Sequence, residues 1–289
     1  MKLIDIEQNS LDWHEYRKNK IGASIAPIIM GVSPYKTPLQ LYEEIMGYTG
    51  KSFEHIGMKQ GHLNEERARY LYQEKYKMPM FTQVVEHDNF SWMSASLDGL
   101  SVDNCQSIEI KCLSLEDHSL AKKGHYPSHY YPQMQHQMAI TGHEFMHYVS
   151  YYRQEGDKEE IEVVKVERNE DYIKKLIDKE KKFLDCLLTF NPPDLIDRDY
   201  VSKEEDKDWL EYSTQWGILQ AQKKFIEKQE KELKEAIVQS SNGRNCKGFG
   251  LTSLKIVRKG NVDYTAIPEL KTIDLEQYRK APSEYWKIA

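Results

Sequence analysis

Residues Ser94 to Lys111 read SASLDGLSVDNCQSIEIK. The run predicts a strand ending at Leu97, an Asp98-Gly99 turn, a second short strand, a polar bend at Asp103-Asn104 and a third strand carrying Ile108 to Cys112. Successive strand residues face opposite ways, so Glu109 and Lys111 share one side while Ile108, Ile110 and Cys112 take the other. A buried-looking strand that aims a carboxylate and an ammonium together needs a reason. Asp98 sits where the hairpin brings a second carboxylate beside them, and two converging carboxylates repel each other unless a hard cation lies between. Mg²⁺ or Mn²⁺, with oxygen ligands and retained waters, fits that position.

Such a cation lowers the pKa of a bound water, polarises a phosphoryl oxygen and offsets the charge that builds on it, which is the chemistry of phosphodiester hydrolysis. Lys111 would orient or deprotonate the water, or neutralise the transition state; the sequence does not separate these roles. A plainer reading exists for the same residues. Asp-Gly is a common hairpin signal, and Glu-x-Lys on an open strand face is ordinary solvated polarity.

Three further blocks lie around the central one: WHEYRKNKIGAS from Trp13 to Ser24, GHLNEERAR from Gly61 to Arg69, and YYPQMQHQMAITG from Tyr130 to Gly142. With Leu97-Asp98 and Glu109-Ile110-Lys111 they resemble the PD-(D/E)xK nuclease superfamily, and within it the phage lambda exonuclease branch, the YqaJ-like viral recombinase family. The likeness spans roughly the first 190 residues, and the joint order of the blocks is far more specific than any one of them. Leu97 replaces the proline of the family motif, while the carboxylate after it is present.

The resemblance implies an α/β fold with a central mixed β-sheet flanked by helices, the restriction-endonuclease-like core. It places a metal on Asp98, Glu109 and the Ile110 backbone carbonyl, with Lys111 and Glu65 at the water and Gln133 at the scissile phosphate. Arg17 and Ser24, joined by Ser96, align with residues that hold a 5′-terminal phosphate, and Tyr130 stacks or hydrogen-bonds nearby. By the same likeness Met58 is placed as an apolar wedge against the duplex end. The implied protein is a Mg²⁺-dependent (or Mn²⁺-dependent) 5′-to-3′ exonuclease acting on linear double-stranded DNA ends. It would leave 3′ single strands for an annealing recombinase and assemble as a homo-oligomer, a trimer. Read without the family, Ser24 is a plain helix N-cap, and Glu65, Glu66, Arg67 and Arg69 form a charged helix face.

The chain has 289 residues, room for one large domain and an accessory piece. Cys105, Cys112, Cys186 and Cys246 lack CxxC spacing, which argues against a zinc ribbon or a four-cysteine cluster. No apolar run reaches membrane-spanning length and MKLIDIEQNS lacks a signal-peptide core, so the expectation is a cytoplasmic protein with no membrane partner, and the resemblance implies that the cell is a bacterial or phage-infected one. Formal net charge is −6, yet from Arg244 onward nine Lys/Arg face five Asp/Glu, a formal +4 that leaves −10 for the rest. Local positive potential, not a basic average, is what a phosphate backbone needs.

The remaining pattern predicts helices over 11–17, 25–30 (capped by Ser24), 39–46, 56–77, 115–123, 132–141 and 169–190, and strands over 81–86, 91–97, 144–153 and 161–166. His118, Lys122, Lys123 and His125 read as a small basic surface, and His136 as a structural or surface histidine outside the site. Asn191-Pro192-Pro193 marks a boundary: 1–191 core, 192–241 a helical connector of two helices or a bent one, 242–289 a small basic appendage. The appendage predicts a hairpin pairing 249–258 with 262–266 around Lys259-Gly260-Asn261, then a short helix near 275–280. Two rivals stand beside the exonuclease: a restriction-type or repair endonuclease on the same core, and a DNA-binding or partner-docking protein without catalysis.

Overall fold

The computed structural model describes residues 1–18, 20–49, 56–112, 114–153, 158–258, 260, 267–268 and 273, with backbone alone for 56–63. The chain divides into two units, Met1–Val201 and Ser202–Ala289.

In the first unit the elements run β1 (Lys2–Ile4), α1 (Leu11–Arg17), β2 (Ile21–Gly22), α2 (Ala26–Ile29), α3 (Pro38–Ile45), α4 (Ile56–Tyr76), β3 (Met80–Glu86), β4 (Met93–Ser101), β5 (Ser107–Cys112), α5 (Leu115–Lys122), α6 (Tyr131–Thr141), β6 (Phe145–Arg153), β7 (Glu159–Glu167) and α7 (Glu170–Thr189). The sheet has the order β1-β3-β4-β5-β6-β7, with β2 joined to β4. β5–β6 and β2–β4 are parallel and the other pairs antiparallel, so the sheet is mixed, as the sequence leads one to expect. The parallel β5–β6 pair requires a long crossover, which α5 and α6 supply.

Alternation along β5 decides what each face of the sheet holds. Ile108 and Ile110 pack with Ala68 and Tyr72 of α4 and with Val149 and Tyr151 of β6. Glu109 turns to the opposite face, where α6 lies and where Met134 and Met138 pack with Met146, Tyr148 and Val166. Helix α6 opens with Pro132 in its first turn and stops at Gly142, whose φ of +77° suits a glycine C-cap. From Pro132 to Ile140 every residue of α6 is buried, polar ones included.

The structure corrects the reading of the central stretch. Asp98-Gly99 is not a turn; both lie inside the nine-residue β4, and the reversal comes at Asp103-Asn104, with Asn104 at φ +58°. Gly99 serves close approach instead, since a Cβ there would stand 2.7 Å from Ile108 Cγ1 and 3.2 Å from Met80 Cβ. Ser24 does not cap a helix. It sits in a 3₁₀ turn, Ala23–Ile25, ahead of α2, while Ser10, Thr37 and Ser114 cap α1, α3 and α5 through their hydroxyls. His118 is no surface cation: it is fully buried, with Nδ1 3.0 Å from Ser150 Oγ, and burial lowers its pKa.

The second unit holds one unbroken helix, α8 (Lys207–Ser240), capped by Asp206, and a hairpin of β8 (Cys246–Gly248) and β9 (Leu251–Ser253). Phe249 and Gly250 take positive φ in the hairpin turn, so the strands form earlier than 249–258. The expected partner strand 262–266, the helix near 275–280 and the Met58 side chain lie outside the described residues. Among the described residues no helix is long and apolar enough to cross a membrane.

Candidate active site

The β4–β5 ladder pairs Leu100 with Ser107 and Gly99 with Ile108, and stops there. Beyond that point the strands part, and side chains take up the backbone groups the ladder has released. Asp98 Oδ2 accepts from the Ile110 N–H at 2.7 Å, while Arg69 of α4 donates from Nε to the Asp98 carbonyl at 2.6 Å. The notch so formed carries Asp98 on one wall and Glu109 and Lys111 on the other.

Glu109 is 1 % exposed, and its charge is met from three sides. Gln133 Nε2 donates to Oε1 and Gln137 Nε2 to Oε2, each at 2.6 Å, and Lys111 Nζ lies 2.6 Å from Oε1. Gln133 and Gln137 are one helical turn apart and therefore share a face of α6. Lys111 also lies over the Tyr130 ring, 5.0 Å from its centroid. Burial pulls the Lys111 ammonium down, but the Glu109 and Asp98 carboxylates outweigh it and hold the pKa above its ordinary range. Asp98 is raised as well: burial first, then the Glu109 charge and that of Glu65, push it well above the usual carboxyl range against the pull of Lys111 and the Ile110 N–H. An acid pushed up by a neighbouring carboxylate marks a place where positive charge is short. Asp98, Glu109 and the Ile110 carbonyl are hard oxygen donors of the kind that hold Mg²⁺ or Mn²⁺, so the donor set fits such an ion.

A cavity of about 520 Å³ runs from this notch to the N-terminal segment and is lined by Trp13, Arg17, Ser24, Glu65, Ser96, Asp98, Glu109, Lys111 and Gln133, among others. The parallel pairing of Ile21-Gly22 with Met93-Ser94 brings the Ser24 turn alongside β4. Arg17 Nη2 donates to Ser24 Oγ at 3.2 Å, and its guanidinium lies 4.3 Å from the Trp13 ring centroid. Trp13 is held in turn by its Nε1–H on Ser96 Oγ at 2.9 Å. Gly22 leaves room for the guanidinium, since a Cβ there would approach Nη2 to 3.2 Å. Among the described residues no acidic side chain pairs with Arg17, and burial lowers its pKa.

Arg17, Ser24, Glu65, Ser96, Asp98, Glu109, Lys111 and Gln133, all singled out from the sequence, therefore line one cavity, and Tyr130 lies beside it against Lys111. Two that the sequence left aside also belong here. Gln137 holds the second Glu109 oxygen, and the signal for it was its helical spacing from Gln133. Arg69, read as part of a charged helix face, instead supports the Asp98 backbone; nothing in the local pattern marks it. Arg67 of the same face reaches across to Glu159 at 2.7 Å.

Residues 12–144 match the model of the YqaJ-like viral recombinase domain. An alkaline exonuclease, LHK-Exo, from Laribacter hongkongensis superposes with a TM-score of 0.54 at 26% identity, over 63% of this chain and 94% of that one. The structure of LHK-Exo in complex with dAMP gives 0.53 at 24% identity over the same shares. No curated protein matches the sequence. Fold and comparisons together define the chain as a nuclease, a hydrolytic enzyme. Residues 12–144 are similar to the YqaJ-like viral recombinase domain, and the fold is similar to that of an alkaline exonuclease.

Proposed function

We propose that the chain is a Mg²⁺-dependent exonuclease that degrades one strand of linear duplex DNA from its 5′ end, leaving 3′ single strands for recombination by annealing. The observation that carries this reading is the single cavity joining the Asp98–Glu109–Lys111 notch to Arg17 and Ser24. A divalent ion on Asp98, Glu109 and the Ile110 carbonyl supplies Lewis acidity and an activated water when bound. Lys111, kept charged by both carboxylates, places a fixed positive charge where the phosphorane oxygens develop negative charge. Gln133 and Gln137 hold Glu109 in one rotamer, so little reorganisation is needed at the moment of reaction. Glu65 lines the same cavity and would orient the attacking water.

Arg17 and Ser24 bind the terminal phosphate. Among the described residues this half-buried guanidinium has no acidic partner, and a phosphate oxygen would complete the ion pair through its planar fork. Ser96, tied to Trp13, closes that end of the cavity. A terminal anchor on one side and the hydrolytic notch on the other is the arrangement that end-dependent cleavage asks for. On family likeness the same reading includes a homo-trimer, a single-strand annealing recombinase as partner, and the cytoplasm of a bacterial or phage-infected cell.

The test compares linear duplexes bearing 5′-phosphate or 5′-hydroxyl ends with closed circular duplex, in Mg²⁺ and in EDTA. The expected outcome is mononucleotide release from linear duplex in Mg²⁺ alone, fastest with a 5′-phosphate, and a protected 3′ strand. Efficient cutting of closed circles, or loss of label from 3′ ends first, would overturn the reading in favour of an endonuclease or the opposite polarity.

A further inference from the structure

His136 of α6 is fully buried and engaged at both ring nitrogens. Nδ1 lies 2.7 Å from Glu180 Oε1 on α7, and Nε2 lies 3.0 Å from the carbonyl of Ser94 on β4. A carbonyl only accepts, so Nε2 carries a hydrogen, and a further proton lies between Nδ1 and the carboxylate. Glu180 is equally buried, and its Oε2 has no partner among the described residues. Well-packed apolar residues of similar volume are often at least as stable as such a pair, so stability alone gives no reason for it here.

Its place supplies a reason. One imidazole joins β4, the strand of Ser96 and Asp98, to α6, the helix of Gln133 and Gln137, and to α7 behind both. On α6, His136 stands next to Gln137 and one turn from Gln133, so it grips the flank of the helix adjoining the one that faces Glu109. The two amide contacts to Glu109, at 2.6 Å each, leave no slack: a small turn or slide of α6 would break one. Among the described residues Gln137 Oε1 is buried without a partner, so this amide has no second bond there to keep it in place.

We propose that His136, together with Glu180, is a positioning residue for the nuclease site, locking α6 to β4 so that both glutamines hold Glu109 ready to share a divalent ion with Asp98. The inference rests on the nuclease reading of that notch. Mn²⁺ is titrated into the metal-free protein by calorimetry, and kcat and KM are measured on linear duplex, for the wild type, His136→Gln and Glu180→Gln. The same is done for His136→Gln in a Gln133→Leu/Gln137→Leu background. His136→Gln is expected to weaken Mn²⁺ binding at least fivefold and lower kcat tenfold or more, with KM changed less than twofold. Glu180→Gln, which keeps a bond to Nδ1, is expected to lose two- to threefold in both. In the background lacking both amides, His136→Gln is expected to change Mn²⁺ affinity no further.

A folded His136→Gln protein that binds Mn²⁺ as the wild type does would overturn the proposal, as would effects that multiply in the amide-free background. Should His136→Gln not fold, Glu180→Gln decides, and wild-type Mn²⁺ affinity and kcat in it would count against the lock. A wild type that binds Mn²⁺ but hydrolyses no DNA sinks the nuclease reading, while the isotherms still decide the role of His136.

Discussion

Asp98→Asn separates the electrostatics of the notch from its shape. The amide keeps an oxygen that accepts from the Ile110 N–H, now at 2.7 Å from the carboxylate, and removes only the charge. Burial and the Glu109 charge raise the Asp98 pKa. For a carboxyl whose folded pKa is raised, the stabilisation is complete below the unfolded value and disappears as pH climbs through the folded one. The metal-free wild type should therefore weaken between acidic and alkaline pH, and Asp98→Asn should flatten that decline, making the variant the more stable protein at the alkaline end. Each unit of pKa difference is worth about 1.4 kcal/mol. A divalent ion at a hundred times its Kd adds about 2.7 kcal/mol to the protein that binds it. At about 2–4 °C per kcal/mol for a domain of this size, that is a rise of roughly 5–11 °C in Tm. Thermal melts at several pH values, with EDTA and with Mg²⁺, read both effects. The wild type should gain those degrees with Mg²⁺, whereas Asp98→Asn should gain few or none and lose about a thousandfold in kcat. An Asp98→Asn protein that responds to Mg²⁺ like the wild type, or turns over within tenfold of it, refutes the reasoning.

Two further outcomes follow from the same geometry. Arg17→Lys keeps the charge but not the planar fork that reaches both Ser24 and a phosphate. It should raise KM for 5′-phosphorylated ends by about tenfold, equivalent to about 1.4 kcal/mol, and leave 5′-hydroxyl ends nearly unaffected; equal losses on both ends would count against a phosphate pocket. Gly99→Ala forces a methyl to 2.7 Å from Ile108 Cγ1. Overpacking of this kind costs about 1–3 kcal/mol, to be seen as a lower urea midpoint at unchanged slope, and a wild-type midpoint would mean that Ile108 and Met80 yield freely.

Much of the site was legible because β-strands repeat every two residues. Glu109 and Lys111 had to share a face once Ile108 and Ile110 were core, whereas Gln137 was left aside although its helical spacing from Gln133 put it on the same face. The Asp98-Gly99 turn was misread because the local preference of that dipeptide is strong, while the reason for Gly99, the closeness of Ile108 and Met80, depends on residues distant in sequence. Ser24 was misjudged for a similar reason. A serine before an apolar run looks like a cap, and only its bond with Arg17 shows where the hydroxyl is used. Buried His118 and the long reach of Arg69 depend wholly on tertiary neighbours, Ser150 and the Asp98 carbonyl, and no local pattern announces either. In the C-terminal unit the Phe249-Gly250 turn falls at the start of the strand expected over 249–258, because a Phe-Gly pair carries a weaker turn signal than Lys259-Gly260-Asn261.

The parting of β4 from β5 after Gly99 and Ile108 ties reactivity and folding into a single reading frame. Hydrophobic beads of β5 anchor the sheet to α4, and the charged beads between them face α6, so inserting or deleting one residue in the short segment before Glu109 would exchange the two sets. Such a lesion could not yield a folded but silent enzyme; it would present carboxylate to the oily side and isoleucine to the cleft. Variation in this lineage is thus expected to accumulate as substitution in β5, with length changes tolerated only within the Asp103-Asn104 reversal itself.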